Sequence, residues 1–249
     1  MFNRAIPPVT KNLLIINGLF FIATLLFYNI SQIGLQQYLG LYYWANPSFQ
    51  PYQFLTSMFM HEGWSHILFN MFGVWMFGSA IESYWGPKRF LTYYMITGIG
   101  AGLLWILTIQ FQIINITPDL PIETIRTIKN EGLDILLSNR NYSDPVWGEF
   151  NLDYHTLINS RVVGASGALF GLLLAFGMMF PNTPIYLMFI PIPIKAKYMV
   201  IGYGLMELYS GISNNPNDNI AHFAHLGGML FGIILILYWK KKGSFYKPW

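Results

Sequence analysis

The chain has 249 residues, 54% of them hydrophobic and only 10% charged, with a mean hydropathy of +0.41 and a net charge of +3. A soluble domain carries about a quarter charged residues, so the deficit points to a membrane as solvent, and no basic stripe with interleaved aromatics suggests nucleic acid. The absence of cysteine removes disulfides, thiolate nucleophiles and thiolate metal ligands.

Apolar stretches recur near 12–30, 62–80, 90–112, 164–180, 197–213 and 219–239, each close to the ~20 residues a bilayer-crossing helix needs. They predict an all-α, polytopic bundle of six transmembrane helices forming a single domain over 1–249. The first apolar run has no small-residue cleavage site after it and reads as a retained signal anchor. Between the first two spans, residues 31–60 hold no Asp, Glu, Lys or Arg but carry Tyr38, Tyr42, Tyr43, Trp44, Phe49, Tyr52 and Phe54. Aromatics without charge suit the headgroup interface, so this loop is expected partly within the outer leaflet. Residues 113–161 are polar and acidic, and Ile122, Ile125 and Ile128 suggest one short amphipathic helix inside an external loop. Pro181, Pro184, Pro191 and Pro193 forbid a continuous helix between the fourth and fifth spans. With the N-terminus inside, most cations fall on inner segments, including Arg4, Lys88, Arg89, Lys195 and Lys240–Lys242. The four outer ones, Arg126, Lys129, Arg140 and Arg161, all lie in the long external loop. The positive-inside rule therefore predicts both termini cytoplasmic.

Polar side chains within spans are costly and are functional candidates. Under this topology spans two, four and six run inward, and each carries polar residues near its outer end: His66 and Asn70, then Ser166, then His222 and His225. At 1.5 Å per residue these groups share one depth and suggest a single site. Ser166 sits in Gly164-Ala165-Ser166-Gly167, where flanking glycines leave room for a substrate backbone. Gly167 and Gly171 form a small face that a matching surface at Gly228 and Gly232 on span six can approach. Such a contact would bring a span-six histidine to the serine, as an activated nucleophile requires; on spacing alone either His222 or His225 qualifies. His66 and Asn70, four residues apart and about 40° around a helix, can both donate hydrogen bonds. As oxyanion donors each can be worth about 3 kcal/mol, against about 0.6–2 kcal/mol as interhelical glue. Glu207 in span five reads as a structural hydrogen-bonding group or part of a substrate gate.

At these residues the chain resembles the rhomboid family of intramembrane serine proteases over nearly its whole length. The family's GxSG motif is matched at Gly164–Gly167, its AHxxG pattern at Ala224-His225-Leu226-Gly227-Gly228, and its HxxxN pattern from His66 to Asn70. The resemblance implies Ser166 as nucleophile and His225 as base. It further implies an oxyanion hole of His66, Asn70 and the Ser166 backbone N–H, and Phe170 packed on the imidazole. Glu82-Ser83-Tyr84-Trp85-Gly86-Pro87-Lys88-Arg89 looks like the family's ExxxGxxR element. Two departures stand out: Tyr52-Gln53 replaces the Trp-Arg pair of the first external loop, and the loop at 113–161 is long. The implied mechanism is a Ser–His dyad without a third carboxylate, the nearest acid in sequence being Asp218. The implied substrates are transmembrane segments of membrane proteins in a lipid bilayer, cut near their outer ends. Neither metal nor other cofactor is expected, and the expected location is a bacterial inner membrane.

Two other readings are distinguishable. His61-Glu62-Gly63-Trp64-Ser65-His66 loosely resembles a zinc-protease motif, but its histidines are five apart and would diverge by about 140° on a helix. A catalytically inert rhomboid-like protein that binds membrane proteins would typically lack the serine or the histidine, and this chain keeps both.

Overall fold

In the computed structural model, the residues described are 5–116, 122–123, 125–126, 149–186, 193–213 and 221–243. A helix lies in each of the six stretches read as apolar. Helix α1 spans Pro8–Ser31, starting at a proline whose missing N–H costs nothing in the first turn and ending at Gln32 in the left-handed conformation (φ 59°). A short α2 (Gln36–Leu39), a two-residue strand β1 (Leu41–Tyr42) and α3 (Gln53–Thr56) make up the uncharged aromatic loop. The second stretch is α4 (Trp64–Gly73), a π-type turn (Val74–Gly78) and α5 (Ser79–Trp85) in unbroken succession, ending five residues beyond the sequence boundary at 80. Gly86, at φ 81°, turns the chain where a Cβ would be strained, and Pro87 opens α6 (Pro87–Ile116).

Then come α7 (Glu149–Asn159), β2 (Arg161–Val162), α8 (Ser166–Met179), α9 (Ala196–Ser213) and α10 (His222–Lys241). Among the described residues α1, α6 and α10 are long and apolar enough to cross a membrane, whereas α8 is apolar but has only 14 residues. The proline-rich stretch after α8 forms a hairpin, β3 (Pro184–Tyr186) pairing antiparallel with β4 (Pro193–Lys195). Ile128 and Asp218 lie outside the described residues, as does most of the 113–161 segment.

Helix α6 is the axis of the fold. Its Tyr93 and Tyr94 are fully buried, and the Tyr93 hydroxyl donates to the Gly171 carbonyl of α8 (2.9 Å). Trp85, Tyr93 and Trp239 pack edge-on and tilted at 5.0–6.0 Å between centroids, with the Arg89 guanidinium 5.1 Å above Trp239, joining α5, α6 and α10 at one end. The buried Glu82 carboxylate accepts from Val9 N–H (2.9 Å), Thr10 N–H (2.7 Å) and the Thr10 hydroxyl (2.7 Å). It thereby satisfies donors that the first turn of α1 cannot pair internally and adds a favourable charge at the helix N-terminus.

The small-residue faces pack only partly as expected. A Cβ on Gly228 would collide with the Gly167 carbonyl, so α8 and α10 do meet there. Gly171 and Gly232 instead face Thr97 and Tyr93 of α6, so α6 and not the partner glycine fills the space beside each. The aromatic loop is tied to the segment before α8. Leu41 and Tyr42 pair with Val162 and Arg161, Gly164 N–H donates to the Ser57 carbonyl (2.9 Å), and Asn46 donates to the Ile158 carbonyl (2.9 Å). Gln53, 1% exposed, donates to the Tyr38 and Ser48 carbonyls (3.1 and 2.9 Å). Its carbonyl accepts from Tyr42 and Gln50 N–H (3.4 and 3.1 Å). A neutral amide thus organises the loop where the family's usual pair has a cation.

Gln53→Leu keeps the side-chain size but strips partners from four backbone groups. We expect it to cost about 2–4 kcal/mol, measured as a lowered thermal midpoint of the detergent-purified protein, with Tyr52→Leu as the mild comparison.

Candidate active site

The site is assembled at the N-terminal ends of α4, α8 and α10, with Glu207 reaching it from within α9. Gly164, at φ 124°, makes a bend that β-carbon-bearing residues rarely adopt. The bend directs the chain into α8 so that Ser166 is its first residue. The first N–H groups of α8 have no partner within the helix and make its N-terminus electropositive. His225 lies in the first turn of α10, one residue from the Ala224 carbonyl that approaches Gly167.

The Ser166 hydroxyl is 2.9 Å from His225 Nε2. The imidazole stacks on the Phe170 ring with centroids 4.2 Å apart and an interplanar angle of 7°. His222, the other candidate base, has its Nδ1 2.7 Å from the Glu207 carboxylate. The same carboxylate oxygen is 2.9 Å from His225 Nδ1. That second approach is close but out of line, and Nδ1 makes no aligned hydrogen bond. Sequence reasoning missed this group as a neighbour of His225. The expectation that no carboxylate other than Asp218 stands near the base is corrected here, because α9 carries Glu207 to α10 across 15 and 18 positions of chain. The only signal in the sequence was an acid inside an apolar span.

On the other side of the serine, His66 approaches the Gly164 Cα closely enough that a Cβ there would lie 2.7 Å from Nε2. His66 Nδ1 accepts from the Glu62 N–H (3.4 Å), which leaves the ring proton on Nε2, the nitrogen that stands against Gly164. Asn70 is buried one turn further along α4. A small cavity of about 20 Å³, room for a water molecule, lies beside Ser166. Small residues line much of it, among them Gly98, Ala101, Gly102 and Ala224.

His61 precedes α4 rather than sitting on it, so helical divergence does not govern its relation to His66. The two rings meet edge-on at 5.0 Å. Among the described residues, the group of three His, Cys, Asp or Glu close enough to hold a metal ion is Glu207, His222 and His225. His61 and His66 are not part of it.

The chain matches the family model of the Rhomboid domain over residues 48–113 and 142–242, and it belongs to the rhomboid family. It is 24% identical to Rhomboid-like protein 17, chloroplastic, of Arabidopsis thaliana over 194 residues, 77% of this chain and 50% of that protein. It is 23% identical to Rhomboid protein 1, mitochondrial, of Saccharomyces cerevisiae over 197 residues, 75% of this chain and 41% of that one. A shorter match, 38% over 52 residues, is to Rhomboid protease GluP of Bacillus subtilis (strain 168), covering 21% of this chain and 10% of that protein. The chain spans about half the length or less of these curated relatives. Family membership and the three long apolar helices make it an integral membrane protein. The first two relatives carry organelle names, and the expectation of a bacterial inner membrane finds no support in them.

His61 is 1% exposed. Burial, aided by repulsion from His66, lowers its pKa from 6.5 to about 3. Because the folded value lies below the unfolded one, His61 contributes fully above pH ~6.5, and stability is lost as pH falls from there toward 3. By this group alone the loss approaches about 1.4 kcal/mol per pH unit. Denaturant titrations of the purified protein between pH 7 and 4 should give a steeper acid decline for wild type than for His61→Leu.

Proposed function

We propose that the chain is an intramembrane serine endopeptidase that cuts transmembrane segments of membrane proteins near the outer face. In this reading the whole chain, 1–249, is one rhomboid-like membrane domain with six spans and both termini cytoplasmic. The observation that carries the proposal is the hydroxyl of Ser166 held 2.9 Å from His225 Nε2, with Glu207 facing the opposite ring nitrogen.

Donation from the hydroxyl to Nε2 requires the imidazole proton to sit on Nδ1, the nitrogen turned to the carboxylate. Ser166 attacks the substrate carbonyl as its proton passes to Nε2. Glu207 favours the resulting imidazolium electrostatically, and Phe170 holds the ring plane. Negative charge developing on the carbonyl oxygen is met by the Ser166 N–H at the start of α8, by His66 Nε2–H and by Asn70. His225 then returns the proton to the leaving amine, and a water molecule hydrolyses the acyl-enzyme by the reverse path. The cavity of small residues beside Ser166 suits a small substrate side chain. No cofactor takes part in this scheme. Glu207 extends the expected dyad by a carboxylate that acts through His225.

A serine-directed fluorophosphonate should label the wild-type protein in detergent, and Ser166→Ala and His225→Ala should each abolish labelling and cleavage while retaining the wild-type melting curve. Wild type that never labels and never cleaves a transmembrane substrate would refute the reading. Asn70→Ala should slow cleavage about 10–1000-fold, the range of oxyanion donors. Glu207→Gln should slow it about tenfold, in kcat more than in KM. Gly164→Ala, strained and pressed against His66 Nε2, should lose activity with Ser166 and His225 intact.

A further inference from the structure

We infer that Glu207, His222 and His225 form a binding site for a divalent transition-metal ion, and that its occupancy switches the serine off. The regulatory half of this inference rests on the proposed protease function; the binding half does not. One carboxylate oxygen of α9 lies 2.7 Å from His222 Nδ1 and 2.9 Å from His225 Nδ1. The two imidazoles lie one turn apart on α10. The three donor atoms are within 4.8 Å of one another; ligands of one ion at bonds of about 2.0–2.2 Å stand about 3.3–3.6 Å apart, so the carboxylate oxygen has only to back away by about half an ångström while the imidazoles turn to a common point. Two imidazole nitrogens and a carboxylate make a donor set suited to zinc, copper or nickel ions and poorly suited to magnesium or calcium ions, which take oxygen ligands. The side chains retain 10–12% exposure.

Binding at His225 Nδ1 uses the lone pair of that nitrogen, so its proton leaves to water, as does that of His222 Nδ1. The His225 ring then carries a cation on one nitrogen and cannot readily take the Ser166 proton on the other. Glu207 is simultaneously drawn from the imidazole to the metal. The nucleophile loses its base without any change at Ser166 itself. The chelate also joins α9 to α10, two helices whose shared contacts otherwise leave much of α9 exposed (Leu205, Met206, Leu208, Tyr209 and Ile212).

The test uses the full chain in detergent. Cobalt(II) titrated into the inactive Ser166→Ala protein should give the visible absorption of a four-coordinate site with nitrogen ligands, at one ion per chain, competed away by zinc ion. That signal should vanish in Ser166→Ala combined with His222→Ala, and also with His222→Gln, whose amide still donates to Glu207 and preserves packing. In the wild type, zinc ion at about 100 μM should reduce fluorophosphonate labelling at least about tenfold relative to metal-free protein. EDTA should restore labelling, and millimolar magnesium ion should have no effect. In His222→Gln the ratio of labelling with and without zinc should rise toward one. Absence of the cobalt signal, its persistence in both His222 variants, or undiminished labelling at zinc saturation would overturn the inference. A chain that binds cobalt at these residues yet never labels under any condition would sustain the metal site and refute the protease function, so the two failures are distinguishable.

Discussion

The site depends on the near-contact of two helix backbones. Where α10 crosses α8, Gly228 lies against the carbonyl of Gly167, and no side chain larger than hydrogen fits. With backbones this close, the residue just before Gly167 and the one a turn before Gly228 fall within hydrogen-bond reach, and the Ser166 hydroxyl meets the His225 imidazole. Gly227 extends the same closeness to α6, where a Cβ would press on Ala101. Without a hydrophobic driving force between helices in lipid, this kind of packing is what holds a bundle together. The constraint that stabilises the fold is therefore also the one that sets the distance between the hydroxyl and the imidazole.

Several polar groups around that contact are held by one another rather than by water. His66 takes a backbone donor on Nδ1 and lays Nε2 against Gly164. His222 and His225 share one carboxylate. Phe170 covers the imidazole face, and Gln53 closes the loop that borders the serine segment through four backbone groups. An unpaired polar group in an apolar setting costs several kcal/mol, and a loop with its own internal donors and acceptors avoids that cost without a charge. This is the physical sense of an aromatic, uncharged connection between the first two helices.

Much of the bundle was legible before any coordinates. The apolar stretches coincide with helices because backbone groups in hydrocarbon must pair within their own segment, and that requirement is local. The same holds for the break that prolines impose after α8. Element ends were less legible: α5 runs to Trp85 and α8 opens at Ser166 itself, since the caps and the bend at Gly164 are set by neighbours. The candidate residues were legible as types at a common depth, but the facing of the small surfaces was not. Gly171 and Gly232 pack on α6 rather than on each other.

The sequence by itself determined the solvent, the helices, the family resemblance and the roster of polar residues near one end of the bundle. These follow from hydropathy, spacing and motif, which are properties of short segments. Spacing left two histidines open and the motif resemblance named His225; tertiary structure alone decided that Gly167 pairs with Gly228 and not Gly171 with Gly232, and that Glu207 joins His222 and His225. Those outcomes turn on crossing angles and axial offsets between separate helices. Small shifts there change the partner of a side chain without altering any local pattern.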